Sequence, residues 1–171
     1  TVAGAVAAAT RLGVWMVNVH ASGGDVMMRA AKAAAVEGAE KTGRPSPLVI
    51  AVTVLTSFDQ AQLGGIGINT PIADQVKRLA SLAQSAGLDG VVASPLEIGL
   101  IREACGNDFA IVTPGIRGAG DAKGDQSRTL SAGQALAAGA SHLVVGRPII
   151  ADRNPRAAAE RIAAECAAVI R

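Results

Sequence analysis

The hydrophobic pattern divides the chain into five short apolar runs separated by amphipathic stretches. The runs are rich in β-branched residues and read GVWMVNVH (13–20), PLVIAVTVLTS (47–57), DGVVAS (89–94), FAIVTPGI (109–116) and SHLVVGRPI (141–149). Continuous apolar runs of this length are typical of parallel strands that are buried on both faces. The pattern therefore predicts five parallel strands.

Helical periodicity fills the intervals between these runs. Residues 71–87 form one such interval, with Gly87 as a suitable helix stop. The apolar face of this predicted helix carries Ile72, Val76, Leu79 and Ala83. The last helix is predicted to start with Asn154 as its N-cap and Pro155 as its first residue. Its apolar stripe consists of Ala158, Ile162, Cys166 and Val169.

A helix within residues 1–13 precedes the first run, so the predicted order is one helix followed by five strand–helix units. Two architectures fit this order. An open, doubly wound sheet of five strands would be nearly complete, whereas a (β/α)8 barrel would need three further strand–helix units before Thr1. No internal repeat or linker interrupts the pattern, so we expect residues 1–171 to lie within a single domain.

The ends of the last two runs favour the barrel, because barrels often bind phosphate after strands seven and eight. The last run ends in VVGRPI, where Gly146 permits close approach of an anion and Arg147 supplies a guanidinium suited to phosphate. The run before it continues into AIVTPGIRGAGDAKGDQSRT (110–129), and long loops are usually functional or disordered. A simple turn with a surface arginine is the plainer interpretation of Gly146 and Arg147.

Composition and charge narrow the class of protein. Half of the 171 residues are apolar, which permits a sizeable core, and a net charge of +2 does not indicate nucleic acid or an anionic membrane as partner. Cys105 and Cys166 lie too far apart for a metal-binding spacing. Because no apolar run reaches the roughly 18 residues of a membrane helix and no signal peptide is evident, we expect a cytoplasmic protein.

Six fragments occur in order along the chain, namely NVHASGG, VTVLTS, GLDGVVAS, VTPGIR, GDQSRT and GASHLVVGRPI. Together they closely resemble the orotidine 5'-phosphate decarboxylase family, over essentially the whole chain. The resemblance implies a TIM (β/α)8 barrel in which the five runs are strands four to eight. It also implies a homodimer that converts orotidylate to UMP and CO2 in pyrimidine biosynthesis, without cofactor or metal. The implied partners are the nucleotide and a second subunit.

The catalytic segment of that family, D-x-K-x-x-D-I-P-N-T, is represented here by its last residue, Thr1. Its Lys protonates the carbon that loses CO2, so the resemblance implies that the catalytic Lys lies upstream of Thr1 and that this chain carries no catalytic residue. DAKGD (121–125) contains an Asp and a Lys two positions apart, but in a glycine-rich loop. Catalytic groups need rigid support, so we interpret DAKGD as a solvated loop.

The resemblance also assigns substrate-binding residues. Thr56 is expected to hydrogen-bond the pyrimidine, although a threonine that simply ends a strand is the alternative. Gly146 and Arg147 are expected to bind the phosphate. Thr1 is expected to help complete the site of the neighbouring subunit, which implies a dimer.

The loop after the fourth run has a further implied role. In the family this loop closes over the ligand, with Arg117 in the ligand-binding set at its start and Gln126 bridging the phosphate and the base. Four glycines would allow the loop to move, namely Gly115, Gly118, Gly120 and Gly124. Closure would shield the reaction from water.

Other conspicuous residues have structural interpretations. We expect His20 to be a hydrogen-bonded residue at a strand end, His142 to be structural at the start of the last strand, and Trp15 to lie in the core. Ser94 falls near the mouth of the barrel without an assigned role. The glycine-bearing stretch 56–70 is a candidate for the base pocket or the dimer interface.

Two other functions remain open from the residues. The first is a related phosphate-binding barrel enzyme, such as a pentulose-phosphate epimerase or a hexulose-phosphate synthase, against which LTS and GDQ favour the nucleotide enzyme. The second is a phosphate-ligand binding module without activity. The dispersed carboxylates and two histidines predict no metal site.

Overall fold

The computed structural model describes residues 1–118 and 128–169, which contain a parallel sheet of five strands. The strands are β1 (Met16–His20), β2 (Leu48–Val52), β3 (Gly90–Val92), β4 (Ala110–Thr113) and β5 (His142–Leu143). They pair in the order β1-β2-β3-β4-β5, each parallel to its neighbour. A doubly wound sheet reverses its strand order at a switch point. The order here runs in one direction throughout, so the doubly wound alternative is wrong.

Helices connect these strands, as the alternation of patterns predicts. In the described residues they are α1 (Val2–Leu12), α2 (Asp25–Thr42), α3 (Gln60–Gly65), α4 (Ile72–Ser85), α5 (Ile98–Cys105), α6 (Ala132–Ala137), α7 (Arg147–Ile150) and α8 (Pro155–Val169). None of the helices in this part of the chain is long and apolar enough to cross a membrane.

Local capping signals set the helix boundaries where they were predicted. Gly87 follows α4 with a φ of 80°, a left-handed conformation that glycine adopts without strain. At the start of α8 the Ala157 N–H donates a hydrogen bond to Asn154 Oδ1 at 3.1 Å, and Pro155 is the first helical residue. Both predictions are confirmed.

The fifth strand is shorter than the sequence pattern predicts. The prediction extended it over 141–149, but pairing with β4 ends after the Val144 N–H reaches the Thr113 carbonyl oxygen at 2.9 Å. The chain then turns into α7, whose Ile149 and Ile150 N–H groups donate to the Gly146 carbonyl oxygen. Pro148 has no N–H to offer a sheet ladder, which favours the helical turn over a continued strand.

The core lies between the sheet and its helices and is built largely from small residues. Four alanines on α2 and α4 are fully buried, namely Ala31, Ala35, Ala80 and Ala83. Larger side chains of the same cluster fill the remaining space, including Met28, Ile101 and Ile111. The chains approach closely at Gly90 of β3, where an added Cβ would lie 2.7 Å from Ala110 Cβ and closer still to the Ala110 carbonyl oxygen. Gly90 therefore permits the close spacing of β3 and β4.

Trp15 is not a core residue, so its predicted burial is wrong. It is 63% exposed, and its ring centroid lies 5.3 Å from that of His142. Trp15 directly precedes β1 and His142 begins β5, and these are the two edge strands of the sheet. Their contact requires the sheet to curve.

Candidate functional site

The carboxyl ends of the five parallel strands meet at one edge of the sheet, which we call the carboxyl edge. It is formed by His20, the last residue of β1, and by residues 53–56, 93–97, 114–118 and 144–147, which follow β2 to β5 in turn. In open and closed parallel α/β sheets, ligands bind at this edge because loops from several strands converge there. Most of the side chains assigned to substrate binding from the sequence fall on it.

Thr56 lies in a tight turn four residues after the end of β2. The Thr53 hydroxyl and N–H both donate to the Val92 carbonyl oxygen, which carries the pairing of β2 and β3 up to the carboxyl edge. The Phe58 N–H then donates to the Leu55 carbonyl oxygen at 2.9 Å and closes the turn. Thr56 is buried in this turn. Its hydrogen bond to a pyrimidine stays a prediction.

Gly146 and Arg147 stand at the carboxyl edge after β5. Both are exposed. Gly146 precedes α7 and accepts the helix's first backbone hydrogen bonds, and Arg147 is the first residue of α7. An added Cβ on Gly146 would meet no heavy atom of the described residues within 4 Å. The space beside this glycine is therefore open, as close approach of an anion requires.

Arg117 is buried at the start of the connection that leaves β4. Its Nη1 donates to the Ile116 carbonyl oxygen at 2.6 Å, and its backbone N–H donates to the Leu130 carbonyl oxygen at 2.9 Å. Ile116 and Leu130 also form a parallel bridge. The two ends of the 118–129 connection are thus held side by side. Arg117 Nε is buried without a hydrogen-bond partner among residues 1–118 and 128–169.

A buried ion pair at the carboxyl edge was not predicted from the sequence. Arg128 Nη1 donates to Glu97 Oε1, and Arg128 Nη2 donates to the Leu55 carbonyl oxygen at 2.8 Å. The side chains of Arg128 and Glu97 are only 11% and 7% exposed. Burial raises the pKa of Glu97 above its ordinary value, while the charge of Arg128 and hydrogen bonding with Ser94 act in the opposite direction. The sequence does contain a signal for this pair, because Glu97 and Arg128 carry opposite charges and follow the neighbouring strands β3 and β4.

Ser94, which had no assigned role, is a structural residue of this edge. It is fully buried two residues after the end of β3, and its hydroxyl accepts a hydrogen bond from the Leu96 N–H at 3.3 Å. The Glu97 N–H donates to the Ser94 carbonyl oxygen at 3.1 Å. Ser94 therefore caps the short helical turn that carries Glu97 to the start of α5.

Thr1 and Gln126 are less closely defined than the other predicted site residues. Thr1 is exposed and precedes α1, and its side chain makes no capping hydrogen bond to that helix. The end of α1 lies close to the beginning of β1. The start of α1, next to Thr1, therefore points towards the carboxyl edge. Gln126 lies outside the described residues, as do the DAKGD segment and the loop glycines Gly120 and Gly124.

The stretch 56–70 contains structure of its own. Asp59 and Gln62 form a capping box that starts α3, with the Gln62 N–H 2.8 Å from Asp59 Oδ1. Together with the end of β1, this stretch borders a largely apolar cavity of about 170 Å³. His20 is exposed at the end of β1 and lines this cavity together with Phe58 and Ile66. A base pocket or dimer interface here stays a prediction.

Residues 1–118 and 128–169 contain no group of three or more His, Cys, Asp or Glu side chains that could hold a metal ion. The charged chemistry of the carboxyl edge in this part of the chain comes mainly from Glu97 and three arginines. These are Arg117, Arg128 and Arg147.

Comparison with known proteins gives consistent matches along the chain. The sequence pattern described as the "Orotidine 5'-phosphate decarboxylase / HUMPS family" matches residues 1–162. The chain is 58% identical over 166 residues to orotidine 5'-phosphate decarboxylase of Moorella thermoacetica, covering 96% of this chain and 66% of that protein. It is 52% identical over 170 residues to the protein of the same name from Syntrophotalea carbinolica, covering 99% of this chain and 70% of that protein.

A solved structure agrees with these sequence matches. The crystal structure of orotidine 5'-phosphate decarboxylase from Lactobacillus acidophilus superimposes with a TM-score of 0.83 at 38% sequence identity. The superposition covers 96% of this chain and 69% of that one. The chain thus spans about two thirds of the length of the proteins that it matches.

Proposed function

The chain belongs to the orotidine 5'-phosphate decarboxylase / HUMPS family, and we propose that the protein containing it converts orotidylate to UMP and CO2. The observation that carries this proposal is the match of residues 1–162 to the family, together with identities of 52–58% to proteins that bear the decarboxylase name. The related sugar-phosphate enzymes and a binding module without activity are less well supported, because no such protein is among these high-identity relatives.

The five strands correspond to strands four to eight of a (β/α)8 barrel, and residues 1–171 form part of that single domain. Two observations support this assignment. The strand order is sequential and parallel, as in a barrel. The rings of Trp15, just before β1, and His142, at the start of β5, lie with their centroids 5.3 Å apart, as expected for a curved wall. Three further strand–helix units would complete the wall.

The substrate lies at the carboxyl edge with its phosphate near β5 and its base near β2. Arg147 binds the phosphate through charged hydrogen bonds, beside the open backbone at Gly146. Thr56 hydrogen-bonds the pyrimidine. By resemblance alone, Arg117 and Gln126 belong to the same binding set, and Thr1 serves the site of a second subunit in a homodimer. The unpaired cysteines Cys105 and Cys166 suit a cytoplasmic protein.

The reaction breaks the bond between the pyrimidine ring and its carboxylate. The bonding electron pair stays on the ring carbon, CO2 leaves, and a lysine ammonium upstream of Thr1 gives that carbon a proton. The protein accelerates this step by electrostatic stabilisation of the charge that develops in the transition state, and it needs no cofactor or metal. Binding of the remote phosphate contributes by holding the reacting end in place. The residues of this chain bind and orient, whereas the proton donor lies outside it.

The test uses the full-length protein, purified without added metal. Orotidylate consumption is followed by ultraviolet absorbance and UMP is identified by chromatography. We expect turnover that a chelator does not reduce and that is lost when the upstream lysine is replaced by alanine. Turnover of pentulose or hexulose phosphates in place of orotidylate would refute the proposal. Tight UMP binding without turnover would instead identify a binding module.

A further inference from the structure

Arg128 connects three segments of the carboxyl edge. Its Nη1 donates to Glu97, which follows β3, and its Nη2 donates to the Leu55 carbonyl oxygen, which follows β2. Arg128 itself belongs to the connection between β4 and α6. A single guanidinium therefore holds the residues after β2, β3 and β4 in one arrangement.

The contact of Arg128 with the Leu55 carbonyl oxygen restricts the orientation of Thr56. The Leu55 carbonyl and the Thr56 N–H belong to the same planar peptide group, so fixing one fixes the other. That carbonyl oxygen accepts two hydrogen bonds, from the Phe58 N–H at 2.9 Å and from Arg128 at 2.8 Å. Rotation of this peptide would break both bonds. The orientation of Thr56 is therefore tied to the position of Arg128.

The burial and shape of the pair make this connection rigid. Glu97 and Arg128 are 7% and 11% exposed, so little water competes for their hydrogen bonds. The planar guanidinium presents its donors in a fixed fork, which lets it bond two acceptors in different segments. A lysine ammonium has no such fork. Because buried ion pairs often add little net stability, geometric control is the better explanation of this one.

We propose that Glu97 and Arg128 are positioning residues that fix Thr56 for its contact with the pyrimidine of the substrate. The inference rests on the proposed function. It assigns Arg128 to the base end of the site, in contrast to Arg147 at the phosphate end.

Kinetics of the full-length protein test this role. We expect Arg128→Met to lower kcat/KM for orotidylate at least 10-fold, and Arg128→Lys to lower it at least fivefold while keeping the charge. Arg156→Met is the matched control, since Arg156 is 88% exposed and pairs with Glu160 within α8. It should stay within twofold of the wild type. Equal activity of Arg128→Lys and the wild type would contradict the claim that the forked donors of the Arg128 guanidinium are required.

A double-mutant cycle separates positioning of Thr56 from a general structural effect. In a Thr56→Val background, Arg128→Met should cost less than threefold, because the hydroxyl that it positions is already absent. With orotidine, which lacks the phosphate, the loss from Arg128→Met should persist, whereas the loss from Arg147→Ala should disappear. Additive losses in the cycle, or a loss that vanishes with orotidine, would overturn the inference.

A measurement without substrate keeps the inference separate from the proposed function. Amide hydrogen exchange at Thr56 and Phe58 should be at least 10-fold faster in Arg128→Lys than in the wild type, and unchanged in Arg156→Met. Unchanged exchange at both amides would refute the positioning role even if the enzyme is active. A wild-type protein that is inactive with orotidylate would refute the proposed function, while the exchange data would still decide the role of Arg128.

Discussion

Replacement of Arg147 by alanine tests the phosphate site most directly. Arg147 is exposed at the first position of α7, and the backbone hydrogen bonds of that turn run from Ile149 and Ile150 to Gly146. Truncation of the side chain leaves these bonds in place, so the free energy of unfolding should fall by no more than about 1 kcal/mol. The protein should remain folded at assay temperature.

The kinetic effect should be much larger than the effect on stability. A hydrogen bond to a charged group contributes roughly 1.5–3 kcal/mol, and each 1.36 kcal/mol corresponds to about a tenfold change in rate. We therefore expect kcat/KM for orotidylate to fall about 10- to 100-fold. Gln126→Ala should cost less, because a neutral amide is the weaker partner of a phosphate. The two losses should be non-additive if both side chains hold one phosphate.

The assay compares orotidylate with orotidine in the full-length protein. If Arg147 binds the phosphate, Arg147→Ala should slow orotidylate but barely change the rate with orotidine, since the interaction it removes is already missing. Arg153→Ala, a nearby substitution after α7, serves as a control for nonspecific loss of surface charge. Equal slowing of both substrates by Arg147→Ala would mean that the arginine is structural and that the phosphate assignment is wrong.

Three further predictions concern stability and assembly. Gly90→Ala should destabilise the fold by about 1–3 kcal/mol or more in a thermal melt, because the new Cβ would lie 2.7 Å from Ala110 Cβ. The control is Gly99→Ala on α5, whose new Cβ would meet no described atom within 4 Å. This control should be neutral or slightly stabilising in the same measurement. The full-length protein should be a dimer with Thr1 and α1 at the interface, and a fully active monomer in sedimentation at assay concentrations would contradict this. Residues 1–171 made alone should be inactive and poorly folded because the sheet edges would be unpaired, and a cooperative unfolding transition would contradict that.

Features that depend on short-range chemistry could be predicted from the sequence. Asn154 and Pro155 start α8, and Gly87 follows the end of α4, because capping involves residues only a few positions apart. The five strands follow from continuous apolar runs, since strands covered on both faces exclude polar side chains. The positions of Thr56, Gly146 and Arg147 at the carboxyl edge follow from their places at the ends of these runs.

Features that depend on distant segments required the tertiary structure. Trp15 has a large, mostly apolar side chain of the kind that usually lies in a core. Its environment is nevertheless set by the curvature that brings His142 near it. The length of β5 depends on where its pairing with β4 stops, which the apolar pattern of 141–149 does not reveal.

The Glu97–Arg128 pair at the candidate site also could not be predicted from the sequence pattern. The two residues are 31 positions apart, and Leu55 is 73 positions from Arg128. Their contact exists only because parallel strands bring the ends of β2, β3 and β4 to one edge. Sequence alone therefore determined which chemical groups follow each strand, while the packing of the strands determined which of these groups meet, because contacts across a sheet depend on strand order and register.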